Sequence, residues 1–324
     1  MLNVVTKEPV TDEATLREAV RAEIASGAIS RKAAGDEAGV GYSTICAWLN
    51  GTYREGAEKE TTAKIARWME ARVARADLRR RLPEAPGYVA TPTAQEIMGR
   101  LMYVHGAQEF GVIVGPAGIG KTMTLEEYQR AAPNVYLITA DRASRSANAI
   151  IAILAEELKI TEQRAVWRPR AIAKKVRNEV ALIIIDEAQF LTTDALDQLR
   201  ALPEAGRCGV IVAGNETLLG RLTGEKGANS ALYAQLHSRV GARWLGKKPR
   251  AGDIDMLIAA WGISDAGAAA LLRKIGDKAG ALRLLTKTMR LASVLAAGEE
   301  AEAVEVAHIR AAFEQISASP LDKD

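Results

Sequence analysis

Apolar residues recur along the chain at helical spacing near the N-terminus, then in short unbroken runs, then at helical spacing again. Leu16, Ala19, Val20 and Ile24 predict a helix between Thr15 and Gly27. Ser30 follows as the cap of a short helix to Ala38, Gly39 and Val40 make a turn, and Ser43 caps a helix from Thr44 to Asn50 that Gly51 stops. Ile45 and Leu49 of that helix face inward, and Gly35 is small where two helices would cross, so the segment spells a helix-turn-helix. Thr61 or Thr62 caps a long helix through Arg81, with Ile65, Trp68, Met69 and Val73 on one side, and Pro83 and Pro86 end it.

Beyond Pro86 the period changes. Short β-branched runs at Phe110–Gly115, Val135–Ala140, Ala181–Asp186, Gly209–Ala213 and, more weakly, Ala242–Leu245 alternate with helical patterns. Runs that are apolar at every position and separated by helices predict a parallel sheet covered on both faces, with ligands at the carboxyl ends of its strands. After Pro249 the pattern is wholly helical, over Asp253–Trp261, Ser264–Ile275, Gly280–Ala297 and Ala307–Ile316, with Leu282, Leu285 and Met289 turned to one core. The expected organisation is a helix-turn-helix domain (1–58), a basic helix and linker (59–86), an α/β core (87–248), a helical lid (249–316) and a tail (317–324).

The chemistry lies at the ends of the predicted strands. Gly115-Pro116-Ala117-Gly118-Ile119-Gly120-Lys121-Thr122 matches G-x-x-x-x-G-K-[ST] between an apolar run and a helical pattern opening at Met123, the context that a phosphate-binding loop requires. Its glycines let the backbone fold closely around phosphates, and its N–H groups and helix N-terminus point inward. Lys121 is expected to reach the β- and γ-phosphates of a bound nucleotide, and Thr122 to ligate magnesium. Leu182–Glu187 puts two carboxylates at the end of a buried strand, where an unpaired acid is costly without a cation. Asp186 is expected to hold the magnesium ion directly or in its second shell, and Glu187 to orient or deprotonate an attacking water. Asn215, closing the run from Val210, is a candidate to hydrogen-bond the γ-phosphate or that water, and Arg239 or Arg243 to reach a neighbouring subunit's nucleotide.

Composition adds less than distribution does. With 324 residues, 48% hydrophobic, the chain can build two or three cores, and its formal charge of +3 implies nothing by itself about nucleic acid. Arg72–Arg81, Arg164–Arg177 and Arg239–Arg250 are nevertheless locally basic, and Glu299–Glu305 is acidic. Arg164, Arg168, Arg170, Lys174, Lys175 and Arg177, between the second and third predicted strands, form either a solvated helix face or a set of DNA phosphate contacts, with Trp167 packing on their aliphatic stems. Gly41, Tyr42, Ser43, Thr44 and Ala47 would face a major groove, but their helix has no Arg or Lys to read guanine bidentately, so little sequence specificity is expected. Cys46 and Cys208 read as reduced, buried structural thiols, and His105, His237 and His308 form no metal cluster. No apolar run approaches a membrane span and the N-terminus lacks the order of a signal peptide, so a cytoplasmic protein without a membrane partner is expected.

The set GPAGIGKT, LIIIDE, VIVAGN, HSRV and GALR, in this order and followed by an all-helical unit, resembles the AAA+ ATPases. Preceded by a helix-turn-helix, it is similar over nearly the whole chain to the B transposition proteins of Mu-like phages. The resemblance implies an α/β fold: an AAA+ P-loop parallel-sheet ATPase domain with an all-helical C-terminal lid and an N-terminal helix-turn-helix domain. By that pattern Asn215 matches sensor 1, Arg239 the arginine finger acting in trans with Arg243 as the alternative, and Arg283 sensor 2. The resemblance further implies ATP with Mg2+, largely sequence-nonspecific binding of double-stranded DNA, a homo-oligomeric helical filament, and delivery of target DNA to a transposase in the cytoplasm of a bacterial host. Gln189 departs from many related ATPases, which carry other polar residues there, and helicase-loader-like and insertion-sequence helper ATPases are close neighbours. The competing reading is an ATP-switched transcription regulator, against which the absence of basic residues in the recognition helix argues.

Overall fold

The computed structural model describes residues 12–52, 58–81, 84–223 and 240–317. These fall into two compact units, one built on the first four helices and the other on the elements that follow. In the first, α1 (Glu13–Ala25), α2 (Arg31–Ala38), α3 (Tyr42–Asn50) and α4 (Glu58–Arg81) enclose Leu16, Val20, Ile45, Trp48, Ile65 and Trp68. Ser30 caps α2 by accepting the Ala33 N–H at 3.2 Å, and Gly39, with φ 66°, ends it in the left-handed region that glycine tolerates. A Cβ on Gly35 would stand 2.9 Å from the Val40 carbonyl oxygen and 3.2 Å from Ile45, so the tight crossing expected there is real.

Three local expectations shift. The extended backbone of Gly41 supplies the N-terminal cap of α3, which therefore starts at Tyr42 and takes Ser43 and Thr44 into its first turn. Helix α4 starts at Glu58, so Thr61 and Thr62 sit inside it, and the Thr62 hydroxyl accepts from Trp48 Nε1 at 2.9 Å. Val73 is exposed because the core on that side of α4 ends at Met69. Arg72 is a packing residue: it donates to Glu23 at 3.0 Å and to the Ala28 carbonyl at 3.3 Å, and lies 5.9 Å from the centre of the Trp68 ring.

The second unit has a five-stranded parallel sheet in the order β2-β3-β4-β1-β5, with β1 Phe110–Val114, β2 Val135–Thr139, β3 Leu182–Asp186, β4 Gly209–Gly214 and β5 Val240–Leu245. The unbroken apolar runs of β1, β3 and β4 are buried at every position, and their side chains alternate between two cores. Val112, Val114, Ile183, Ile185, Val210 and Val212 join the core that also holds residues of α7 (Ala147–Glu157), α8 (Arg168–Val176) and α9 (Thr193–Arg200). Ile113, Leu182, Ile184, Ile211 and Ala213 join the opposite core, with residues of α5 (Pro92–Ala107) and α6 (Lys121–Ala131). The helix α10 (Leu202–Gly206) leads into β4 and α11 (Glu216–Thr223) leaves it.

The lid comprises α12 (Ala251–Ala260), α13 (Ala266–Gly276), α14 (Ala281–Gly298) and α15 (Val306–Ser317), around Leu257, Leu272, Leu285, Met289 and Phe313. A buried carboxylate ties the lid to the sheet-bearing part. Asp253 accepts the Thr93 N–H at 2.8 Å, the Thr93 hydroxyl at 2.5 Å and the Arg250 N–H at 2.7 Å, which joins the start of α12 to the start of α5. Removing that acceptor strands three donors, at a cost of the order of 1–3 kcal/mol for each one left without water. Asp253→Ala is therefore expected to destabilise this unit by about 3 kcal/mol in urea unfolding. Asp253→Asn, which keeps one acceptor, is expected to lose less.

Candidate nucleotide site

The strand β1 ends at Val114 and the chain turns through Gly115–Gly120 into α6, so the loop sits at the carboxyl end of the central strands. Gly118 and Gly120 have φ of 87° and 95°, a conformation that L side chains rarely adopt. Gly118 has a second constraint, because a Cβ there would overlap the carbonyl oxygen of Gly280. Pro116, Ala117 and Ile119 complete the loop, and the Ile119 side chain is buried beneath it. Lys121 folds back over the loop and donates to the carbonyls of Gly115 at 2.8 Å and Pro116 at 2.9 Å. Burial pushes its ammonium below the ordinary lysine value, Asp186 and Glu187 draw it back up, and the Arg283 charge lowers it further.

Asp186 ends β3 almost fully buried, and its Oδ2 accepts the Thr122 hydroxyl at 2.6 Å. Its Oδ1 accepts the N–H of Glu187 at 2.8 Å. Glu187 stands at φ 54°, ψ 30°, an αL backbone uncommon for a non-glycine residue and costing on the order of 1 kcal/mol or more. That twist turns its carboxylate out of the sheet, where it lines the same cleft as Lys121, Thr122 and Asn215. The Asn215 side-chain oxygen accepts the Thr217 N–H at 3.0 Å, holding the first turn of α11. Its amide nitrogen is the part left for a ligand.

The lid forms the other wall. Arg283, Lys287 and Arg290, one above another on exposed positions of α14, line the cleft with Leu257 and Leu282, opposite Tyr88 and Val89. The cleft has a volume of ≈ 550 Å³, adequate for a nucleotide with an apolar end and a polar end. Among the described residues no group of three His, Cys, Asp or Glu side chains gathers as a metal site, so the oxygen pair Thr122 and Asp186 is the candidate for a divalent cation. Lys287, Arg290 and the Tyr88–Val89 wall escaped the sequence reading. The spacing of Arg283, Lys287 and Arg290 at i, i+4 and i+7 was the available signal.

The other candidates scatter. Arg239 lies outside the described residues, and Arg243 is half-buried in β5, its carbonyl accepting from Arg100 Nε at 3.3 Å. Ser43 is exposed and Thr44 half-buried at the start of α3. In the basic segment, Arg164 pairs with Glu162 at 3.0 Å and holds that carboxyl down at about 2, Arg168 donates to the carbonyls of Glu162 and Gln163 at 3.2 and 2.9 Å, and Lys175 pairs with Glu179 at 2.7 Å. Arg170 and Lys174 are exposed and, among the described residues, have no carboxylate partner. The Arg170 guanidinium lies 4.6 Å from the centre of the Trp167 ring. Cys208 is buried and its thiol pushed up to about 12 by burial, while Cys46 is only half-buried. Among the described residues no helix is long and apolar enough to cross a membrane.

Comparison with known proteins gives a consistent set. A family model described as Mu B transposition protein, C terminal, matches residues 238–316, and one described as AAA domain matches residues 104–222. The ATP-dependent target DNA activator B of Escherichia phage Mu is 32% identical over 282 residues, 86% of this chain and 88% of that protein. The protein of the same description from Escherichia phage D108 matches equally, at 32% over 282 residues. The Mu-like prophage FluMu DNA transposition protein B of Haemophilus influenzae is 31% identical over 277 residues, 85% of this chain and 95% of that protein. Among solved structures, the Aeropyrum pernix ORC1 protein in complex with DNA superposes with a TM-score of 0.51 at 16% identity, over 73% of this chain and 68% of that one. Drosophila ORC bound to DNA gives 0.53 at 16% identity, over 74% and 65%. These last two likenesses concern the fold.

The close approach of Gly118 to Gly280 makes a sharp test of the cleft. Gly118→Ala is expected to weaken nucleotide binding at least tenfold, because the new methyl must push the loop or the lid away, whereas Gly99→Ala on the open side of α5 should leave it unchanged. Titration with a fluorescent nucleotide analogue checks both.

Proposed function

The chain belongs to the family of the Mu-type B transposition proteins, which carry an AAA ATPase domain, and we propose that it is an ATP-hydrolysing, DNA-binding assembly factor that presents target DNA to a transposase. The observation that carries this reading is the convergence of Lys121, Thr122, Glu187, Asn215 and Arg283 on one cleft between sheet and lid, with Asp186 accepting the Thr122 hydroxyl. In it, Lys121 exchanges its two loop carbonyls for the β- and γ-phosphates of ATP, and the N–H groups of Gly118–Thr122 surround them. The Thr122 hydroxyl and the Asp186 carboxylate, already 2.6 Å apart, fit the donor set that Mg2+ takes from a protein beside a triphosphate. When bound, the ion neutralises charge between the β- and γ-phosphates.

Glu187 accepts the proton of the water that attacks the γ-phosphorus as the bond to the ADP oxygen breaks, and the Asn215 amide donates to the γ-phosphate or that water. Arg283 brings positive charge from the lid. The transition-state charge on the far side falls to the arginine finger of an adjoining subunit in a helical filament, a role we give to Arg239 with Arg243 as the alternative. Chain positions 85–89 and Leu257 and Leu282 offer the apolar slot for the base.

For DNA, Arg170 and Lys174 are the preferred phosphate contacts, with Arg164, Arg168 and Lys175 held back by their own partners. In the N-terminal unit, α2 and α3 joined through Gly39–Gly41 act as the helix-turn-helix, offering Tyr42, Ser43 and Thr44 to the duplex with little base readout.

Two variants separate the roles. Lys121→Ala is expected to lose ATP binding, whereas Glu187→Gln keeps it and turns over at least a hundredfold more slowly, so ATP should hold only Glu187→Gln on DNA. Equal ATP affinities for the two variants would remove these assignments. The DNA path is read by salt: the Arg170→Ala, Lys174→Ala double variant should lower the slope of log affinity against log salt by about 1.8, alike on unrelated duplexes. An unchanged slope with normal assembly would move the path elsewhere.

A further inference from the structure

The turn that follows Glu187 carries a side chain that no motif assigns. Gln189 lies in the short 3-10 turn Ala188–Phe190, between the ends of β3 and β4. Its Nε2 donates to Glu187 Oε2, and its Oε1 accepts the N–H of Asn215 at 3.2 Å. Both ends of one carboxamide are thus engaged, one by the general base and one by the first residue after β4. The seat is shaped for it: a Cβ on Gly214 would stand 2.5 Å from Gln189 Oε1, so β4 must end in glycine for the amide to lie there.

The backbone of Glu187 alone does not orient its carboxylate, since an αL residue leaves three side-chain torsions free. We infer that Gln189 is a positioning residue for ATP hydrolysis, fixing the Glu187 carboxylate against the turn at Asn215 so that base and sensor move together. This rests on Glu187 being the base in the reaction proposed above. Gln189 has to be long enough to span both partners and must carry a donor and an acceptor. Asn lacks the length, Glu lacks the donor, and Leu lacks both.

The test uses the full chain with ATP and duplex DNA. Gln189→Leu is expected to lower kcat roughly tenfold or more with KM for ATP within about twofold, the pattern of a group that serves only the chemical step. Gln189→Glu, of nearly the same shape, should lose a similar factor at neutral pH, because two carboxylates then face each other. It should recover relative to the parent as pH falls, because the substituted carboxyl, once protonated, donates as the amide did. The decisive arm is the cycle: in a Glu187→Gln background, adding Gln189→Leu should change residual turnover by less than about twofold. An independent loss in that background, a raised KM with unchanged kcat, or a pH-independent deficit in Gln189→Glu would each overturn the proposal. Should Gln189→Leu not fold, Gln189→Glu and its cycle with Glu187→Gln decide alone. Undiminished hydrolysis by Glu187→Gln would instead sink the assignment of Glu187, a different failure from that of Gln189.

Discussion

Two backbones meet without side chains between them where Gly118 of the loop faces Gly280 at the head of α14, and the working cleft depends on that meeting. Both glycines have φ near 90°, and Ala281 beside them is at 47°. With Gly280 beside Gly118 the lid reaches the phosphate loop backbone to backbone, and Arg283 follows three residues later in the same helix. Any side chain at the contact would separate the two walls, and with them the charges from opposite sides of the cleft. Asp253 fixes the other end of the lid, holding the start of α12 to the start of α5 with three hydrogen bonds in a dry environment.

Charge within the cleft is arranged for a ligand. Asp186 is almost fully buried and takes both a hydroxyl and a backbone N–H, so its position is rigid. Lys121 is desolvated and satisfied by carbonyls, weaker partners for an ammonium than phosphate oxygens. Arg283, Lys287 and Arg290 present three further cations at solvent-exposed positions of α14. A polyanion entering here gains opposite charges already in place, with little reorganisation beyond the swing of Lys121. In and before α8 the same logic runs the other way: Arg164, Arg168 and Lys175 are already matched with carboxylates or carbonyls, so a local charge count overstates what is free for a ligand.

Much was legible in the residue pattern, for physical reasons that are local. The phosphate loop needs a fixed spacing of glycines, lysine and hydroxyl after a strand, and Gly115–Thr122 supplies it without reference to anything distant. The strands β1, β3 and β4 declared themselves because a strand covered on both faces is apolar along nearly its whole length, and Asp186 and Glu187 stood out because carboxylates end such a run. The lid helices, the glycine at the crossing of α2 and α3, and the end of α4 follow from periodicity and sterics within a few turns. Helix starts were less certain, as α3 and α4 show, because an N-terminus can be satisfied by an extended glycine as well as by a serine or threonine.

Tertiary structure decided what depends on residues far apart in the chain. The order of strands, with β4 between β3 and β1, is what carries Asn215 to the side of Glu187 and Lys121. Periodicity along one element holds no information about which neighbour it pairs with. Arg283 could be read as a lid residue, but that Lys287, Arg290, Tyr88 and Val89 share its cleft is set by the packing of α14 against the loop. The same holds for Gln189, whose two hydrogen bonds join the turn after β3 to the turn after β4. It held also for the basic residues, where sequence counted charges and only the folded chain matched Arg164 with Glu162 and Lys175 with Glu179, leaving Arg170 over Trp167. Side-chain chemistry at fixed spacing is written in the sequence, whereas the pairing of side chains across elements exists only once the elements have packed.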